Sequence, residues 1–342
     1  MANLGKVDRE FFDTTIYPNL GADRSDVRVE PQHGVDFGVI DVGDRVVVLA
    51  TDPIFIMPVL GFERAAWFAV HILLSDVAVS GIRPTHLAVD FNLPPEITDE
   101  EFETVWETFD REARAFDVQV ATGHTGRYAG CNYPMVGGGM SIAVGDPTDL
   151  VLPTGAQPGD RVIITKGPAI ETTGLLSIQF ESILTDLGPE TLEAAQDRFY
   201  DMSPVRDALV AAEAGAVTAM HDATEGGVYG GLHEVAANSG VRIDVNRDAI
   251  PVLDGVRETC DAFDVDPWAA ISEGTLIATA PPDAATAVVS ALEDADIPAA
   301  DVGAVAEGSG VYFDGEPVEA PTRDPFWAAV ERGMAALEEA TE

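Results

Sequence analysis

The sequence predicts an α/β (α+β) protein of two domains. Strand candidates alternate with helix candidates along nearly the whole chain. Its 342 residues are 46% hydrophobic, enough to bury two ordinary cores. Between the two series lies Asp146–Asp160, which holds three prolines and two glycines and shows neither a helical nor a strand period. That stretch reads as the boundary. The expected organisation is an N-terminal domain at 1–150, a second at 158–320, and a closing helix and tail at 321–342.

In chain order, Leu4–Phe12 is expected to form a short helix, and Gly34–Asp41 a glycine-flanked strand with Asp36 inside it. Arg45–Thr51 is a Val-rich strand that ends at Thr51-Asp52-Pro53, which would put Asp52 at a strand's C-terminal end. Phe62–Val79 is a long apolar helix carrying Asp76, closed by Gly81 and Pro84. Pro84–Leu93 follows as a strand. Thr98–Phe116 is a helix opened by a capping box, Thr98 with Glu101. Asp117–Gly123 is a strand opening into a loop, and Pro134–Val144 is a strand interrupted by Gly137-Gly138-Gly139. The three glycines fit either the close approach of a backbone or phosphate, or a bulge in a tight sheet crossing.

Arg161–Lys166 starts the second series. The stretch Gly167–Gly174 reads as a loop with a helix from about Leu175. Further helices are expected at Glu190–Tyr200, Pro204–Ala214, Asp283–Ala295 and Asp324–Glu338. Further strands are expected at Val217–Met220, Val241–Val245 and within Ser272–Ala280. The stretch His221–Val228 is a strand end running into a helix, and Val302–Ala306 with Val311–Phe313 reads as a closing hairpin.

Acidic residues number 59 and basic ones 19, a formal charge of −40. Such a surface repels nucleic-acid phosphate and anionic membrane. The acids are spread along the chain, a solvated surface of the kind expected in a protein working at high salt, where self-repulsion is screened. Cys131 and Cys260 are the only cysteines and form no CxxC, so neither a disulfide framework nor a thiolate zinc site is indicated. The N-terminus has no signal-peptide core, and the longest apolar run, Ala65–Leu74, is too short to span a bilayer. A cytoplasmic protein is expected. Lys6 and Lys166 are the only lysines. Lys166 beside Gly167 suits a phosphate as a point charge, or an exposed turn equally well. Arg83 and Arg127 are placed to meet a phosphate or carboxylate, or to pair with surface acids.

No GxxxxGK[ST] occurs, and no GxGxxG opens a helix after a strand. Instead, carboxylates stand at turn positions beside glycines: Asp36, Asp52, Asp76 and Asp222. Such groups suit a nucleotide held through magnesium, which takes one or two carboxylates plus phosphate oxygens.

Five short motifs occur in order: Thr51-Asp52-Pro53; residues 74–84 around Leu74-Ser75-Asp76; Gly123-His124-Thr125; His221-Asp222-Ala223-Thr224-Glu225-Gly226-Gly227; and Ser272-Glu273-Gly274-Thr275-Leu276. Together they resemble the AIR synthase (PurM-like) superfamily, over about residues 34–315. That superfamily includes AIR synthase, HypE-type hydrogenase maturation proteins, thiamine-monophosphate kinase and selenophosphate synthetase. The resemblance implies a homodimer whose N-terminal domains build a shared β-barrel, and an ATP-dependent enzyme that phosphorylates an amide, carboxamide or related oxygen of a small substrate. It makes Asp36, Asp52 and Asp76 the candidate magnesium and phosphate residues. It aligns Gly123, His124 and Thr125 with a family loop that usually carries a carboxylate where His124 stands. It aligns Asp222, Gly226 and Gly227 with a glycine-rich motif of the second domain. Arg127 and Lys166 join this candidate ATP site by position. Imidazole is a poor magnesium ligand, so His124 is open to a phosphate or substrate contact. The HypE type carries its thiocarbamate on a C-terminal cysteine, whereas this sequence ends Glu338-Glu339-Ala340-Thr341-Glu342. A maturation or regulatory protein that binds nucleotide without turnover is therefore the alternative.

Overall fold

The structure, a computed structural model, describes residue 7 and residues 9–341. The start of the helix expected at Leu4–Phe12, and Lys6 with it, lies outside these residues; α1 (Arg9–Phe11) is a single turn. The chain forms two compact units. The N-terminal unit holds Arg24–Pro31 and Asp36–Leu150; the C-terminal unit holds Gln32–Val35, Val151 onward and the described residues before Arg24.

In the N-terminal unit the strands are β1 (Val27–Val29), β2 (Gly38–Val42), β3 (Arg45–Phe55), β4 (Pro84–Leu93), β5 (Gln119–Arg127) and β6 (Met135–Gly145). They form one open sheet in the order β1-β2-β3-β6-β4-β5, antiparallel except for the β4–β5 pair. Helices α2 (Phe62–Ala78) and α3 (Asp99–Ala115) cover one face. The period-2 pattern of β3 sorts its side chains: Val46, Val48 and Ala50 are buried, while Val47 and Leu49 are half-buried. Register carries that second set across the sheet, Ile40 against Val47, Leu49 against Ile142, and Val47 against Val144. The face away from the helices is therefore apolar yet partly open. The capping box of α3 forms as expected, with Glu101 N–H donating to Thr98 Oγ1 at 3.2 Å and Thr98 N–H to Glu101 Oε2 at 2.8 Å.

Two strands run further than their sequences suggest. β3 continues through Asp52 and Pro53 to Phe55 because β6 pairs with it that far, whereas β2 pairs with it only as far as Leu49. Pro53 thus sits where β3 has a neighbour on one side, the position in which a missing N–H is tolerated. β5 continues through Gly123 and Gly126 because its whole length pairs with β4. Asp52 therefore lies within a strand, and Gly123, His124 and Thr125 form part of a sheet edge rather than a loop.

The C-terminal unit contains β7 (Arg161–Thr165), α4 (Ile170–Gln179), α5 (Pro189–Asp197), α6 (Val205–Ala214), β8 (Ala219–Asp222), α7 (Gly227–Ser239), β9 (Arg242–Val245) and α8 (Val256–Ala262). It continues with β10 (Leu276–Ala280), α9 (Pro282–Asp294), β11 (Ala299–Ala306), β12 (Gly310–Phe313), β13 (Glu316–Val318) and α10 (Pro325–Thr341). The sheet order is β13-β12-β9-β11-β7-β10-β8. Its core packs Val162 and Ile164 of β7, Ile277 of β10, Ile243 of β9 and Val302 of β11 against Leu232 of α7. The closing hairpin expected from β11 and β12 does not form. β9 lies between them, and β12 turns back through Asp314-Gly315 to pair with β13. α4 also starts earlier than expected, at Ile170, although Gly167 and Pro168 read as breakers. Its first N–H is capped by Ser272 Oγ at 3.0 Å, a partner 102 residues away in sequence.

Candidate functional site

In the N-terminal unit, a groove of about 590 Å³ opens on the sheet, lined among others by Asp52, Asp90, Gly123, Gly138 and Gly139. Asp52 is half-buried and pairs with Gly139, with Pro53 against Gly138. The glycine run has two packing causes. A Cβ on Gly137 would stand 1.8 Å from the Asp90 carbonyl oxygen, and one on Gly139 would stand 2.7 Å from the Leu73 methyls of α2. A Cβ on Gly138 would meet only the Asp52 carbonyl oxygen, at 3.4 Å. Gly138 is thus the residue of the three that leaves the groove floor open without a packing reason.

Asp36, before β2, and Asp76, in the last turn of α2, are both half-buried. Among the described residues Asp36, Asp52 and Asp76 do not bring three ligand atoms around one point. His124 lies on the exposed β5 edge, its Nε2 2.5 Å from the Tyr128 hydroxyl and its ring stacked on that of Tyr128. Thr125 and Gly123 are exposed beside it. Arg127 turns the other way: Nη2 donates to Asp99 at 2.7 Å and Nε to the Ile97 carbonyl at 3.2 Å, tying β5 to the start of α3.

In the C-terminal unit, sheet order gathers the remaining residues. β10 lies antiparallel between β7 and β8, so the C-terminal ends of β7 and β8 and the N-terminal end of β10 share one edge. The loop after β7, the turn after β8 and the Ser272–Thr275 turn before β10 therefore meet. Asp222, at the end of β8, is fully buried. Beside it His221 Nε2 lies 2.6 Å from Glu234 Oε2 of α7. Gly226 (φ +82°) and Gly227 (φ +58°) form the entry to α7; a Cβ on Gly227 would lie 2.4 Å from the Ala270 carbonyl oxygen. The Gly226 N–H donates to Asp324 Oδ2 at 2.7 Å. Asp324 also accepts from the Phe326 N–H at 2.9 Å, and burial raises its pKa against hydrogen bonds from the Gly226, Phe326 and Ile271 backbone.

Lys166 corrects its own reading. Its ammonium is buried, 3.1 Å from Asp207 Oδ1, and donates to the carbonyls of Asp201 (3.0 Å), Ser203 (2.8 Å) and Gly274 (3.0 Å). Those partners occupy the donors that a phosphate would need. Thr165 Oγ1 adds a bond to Asp207 Oδ2 at 2.6 Å.

Sequence reasoning missed Glu171 and Asp324 as site residues, and gave Glu273 no role beyond its motif. Glu171 is buried in the first turn of α4 and accepts from the Glu273 N–H at 3.3 Å. Burial raises its pKa to about 8, the Glu273 hydrogen bond opposes that, and the carboxylates of Asp324 and Glu225 add to it. The signal available was the Ser272–Thr275 motif itself, whose partner loops only the sheet order reveals.

Two separate carboxylate-and-glycine constellations on mixed α/β units define an architecture, and residue comparison identifies it. Residues 34–144 match the AIR synthase related protein N-terminal domain and residues 157–315 match its C-terminal domain. The chain belongs to the AIR synthase-related (PurM-like) family, close to HypE. It is 31% identical to carbamoyl dehydratase HypE of Azotobacter vinelandii over 262 residues, 72% of this chain and 70% of that one. The crystal structure of E. coli HypE, a hydrogenase maturation protein, superposes with a TM-score of 0.69 at 25% identity, covering 82% of this chain and 87% of that one. A hydrogenase maturation protein HypE in complex with ATP has the same fold, at a TM-score of 0.67 and 23% identity over 93% of each chain.

Proposed function

We propose that this chain is an ATP-dependent enzyme that phosphorylates an amide, carboxamide or related oxygen of a small substrate, using magnesium. The observation that supports the reading best is the 31% identity to a carbamoyl dehydratase across both domains. Phosphorylation turns an amide oxygen into a leaving group, after which dehydration or ring closure can follow. The protein's part in such a transfer is positioning and charge neutralisation.

The donor set fits magnesium. Asp36, Asp52 and Asp76 are half-buried carboxylates with hard oxygen atoms, and magnesium takes one or two of these with phosphate and water completing its shell. When bound, the metal would neutralise phosphate charge. In this reading Gly123, Gly138 and Thr125 border the nucleotide, and His124 with Tyr128 faces phosphate or substrate.

Asp76→Asn is expected to weaken magnesium–ATP binding ten- to a hundred-fold, about 1.5–3 kcal/mol for a lost charge-assisted contact. Calorimetric titration measures this, with circular dichroism confirming the fold. Equal affinities in both proteins would remove Asp76 from the site. ATP hydrolysis over a panel of carbamoyl and carboxamide compounds tests the reaction, and binding without turnover across the panel would favour the regulatory alternative.

The apolar open face of the N-terminal sheet supports the homodimer. Two copies that bring Ile40, Val47, Leu49 and Ile142 together would hide them and close a barrel. Leu49→Asp is expected to leave a folded monomer at micromolar concentration, read by light scattering in molar salt to screen the charge of −40. A wild-type protein that is already monomeric there would refute the dimer.

A further inference from the structure

We propose that Glu171 is a positioning residue, holding the Ser272–Glu273–Gly274–Thr275 turn in the arrangement the reaction needs. The inference rests on the phosphoryl-transfer reading above. The loop and first turn that lead from β7 into α4 pin the turn, and on the β8 side the Thr275 carbonyl accepts the Ala223 N–H at 2.9 Å. Ser272 Oγ accepts the Ile170 N–H at 3.0 Å, Thr275 Oγ1 donates to the Gly167 carbonyl at 2.5 Å, and the Lys166 ammonium donates to the Gly274 carbonyl at 3.0 Å. Glu273 is the remaining residue of that turn, and its backbone N–H donates to Glu171 Oε2 at 3.3 Å. Glu171 and Glu273 are both more than nine-tenths buried. The backbone that presents this hold is strained: Lys166 and Ala169 are non-glycine residues at φ +58° and +54°.

Charge sets the strain on this hold: the Glu273 N–H favours the carboxylate, but burial and the neighbouring acids outweigh it. The groups that act on Glu171 come from other elements: Asp324 ahead of α10, Glu225 in the turn before α7, and Glu273 through its N–H. Lys166, the cation of these loops, is committed to Asp207 and three carbonyls. Cys260 on α8, with its pKa pushed by burial to about 12, stays a neutral thiol. As a neutral acid, Glu171 sits among these acids without repulsion; with its pKa at about 8, it ionises in mild alkali and adds a negative charge beside Asp324 and Glu225. The sign follows for stability too. The folded pKa lies above the usual 4.5, so the contribution is full below 4.5 and is lost as pH rises towards 8.

The test compares wild type with Glu171→Gln and Glu171→Ala. Gln keeps a carbonyl oxygen for the Glu273 N–H but cannot ionise. Wild-type kcat for magnesium–ATP turnover is expected to fall about tenfold per pH unit above the Glu171 pKa. Glu171→Gln should lose that alkaline limb and keep its neutral-pH rate within a few-fold. Glu171→Ala should lower kcat at least about tenfold at every pH with KM for ATP unchanged, as for an interaction felt in the transition state alone. Infrared spectroscopy should show a buried protonated carboxyl in wild type at neutral pH that disappears in Glu171→Gln. An alkaline limb that survives in Glu171→Gln, or a wild-type spectrum without that carboxyl, overturns the proposal. If no acceptor supports turnover, the phosphoryl-transfer reading fails, and the infrared band still decides whether Glu171 is the neutral acid that its burial and acidic neighbours favour.

Discussion

Lys166→Met is expected to destabilise the C-terminal unit by about 3–5 kcal/mol, the range for breaking a buried ion pair from one side. The loss has two parts. Asp207, itself buried, would be left with the Thr165 hydroxyl and no cation. The carbonyls of Asp201, Ser203 and Gly274 would lose a shared charged donor. Hydrogen exchange at β7 and β10 reads the change within the unit, because those strands flank the lost ammonium. A second variant separates charge from packing. Lys166→Met combined with Asp207→Leu removes both charges, and much of the loss should return. A phosphate-binding Lys166 would behave in the opposite way, with stability within about 0.5 kcal/mol of wild type and a sharp fall in ATP affinity.

The Lys166 case shows where the chain was legible and where it was not. Local signals were readable. The Val-rich run of β3, the apolar length of α2 and the Thr98–Glu101 box each depend on neighbours within a few residues, and each formed. Most strands were readable for the same reason, but the three-residue β1 and β13 were not. Strand order was not, because β6 slots between β3 and β4, and β9 between β11 and β12, through contacts distant in sequence. The early start of α4 depends on Ser272, and the fate of Lys166 depends on Asp207 and on carbonyls up to 108 residues away. No local pattern marks such partners. The far half of β5 was missed for another reason: Gly123 and Gly126 argue for a loop, and pairing with β4 overrides them.

The candidate site divides along the same line. Residue types were legible, since carboxylates beside glycines stand out even in an acidic chain. Asp52, Gly123 and Gly138 do share one groove. Which glycines serve packing was not legible, because Gly137, Gly138 and Gly139 look alike in sequence and differ only in what lies across the strand. The Glu171 carboxyl was hidden by reading its segment as a loop. A loop glutamate is expected in water, whereas the first turn of α4 buries this one beside Glu273.

Gly137→Ala is expected to destabilise the N-terminal unit by about 3–5 kcal/mol. One part is backbone strain, since Gly137 sits at φ +143°, where an L side chain costs about 1–3 kcal/mol. The other is overlap. The new Cβ would lie 1.8 Å from the Asp90 carbonyl oxygen, 2.8 Å from its carbon and 3.2 Å from Phe91 Cα. These are backbone atoms, so no flexible side chain can give way, and forced repacking adds about 1–3 kcal/mol. The strain also has a place to go: Gly137 pairs with Phe91, which is fully buried and packs edge-on against Phe102, Trp106 and Phe109. Pushing β4 away from β6 would loosen that aromatic cluster and splay the groove at Asp90 and Gly138. Gly138→Ala is the matched control. Its nearest atom would be at 3.4 Å with no left-handed φ, so stability should stay within about 1 kcal/mol of wild type. If the groove holds nucleotide, the same control should still weaken magnesium–ATP binding. Denaturant titration, with hydrogen exchange at β4 and β6, measures both variants. A Gly137→Ala protein as stable as Gly138→Ala would mean that the β4–β6 pair has slack the structure denies.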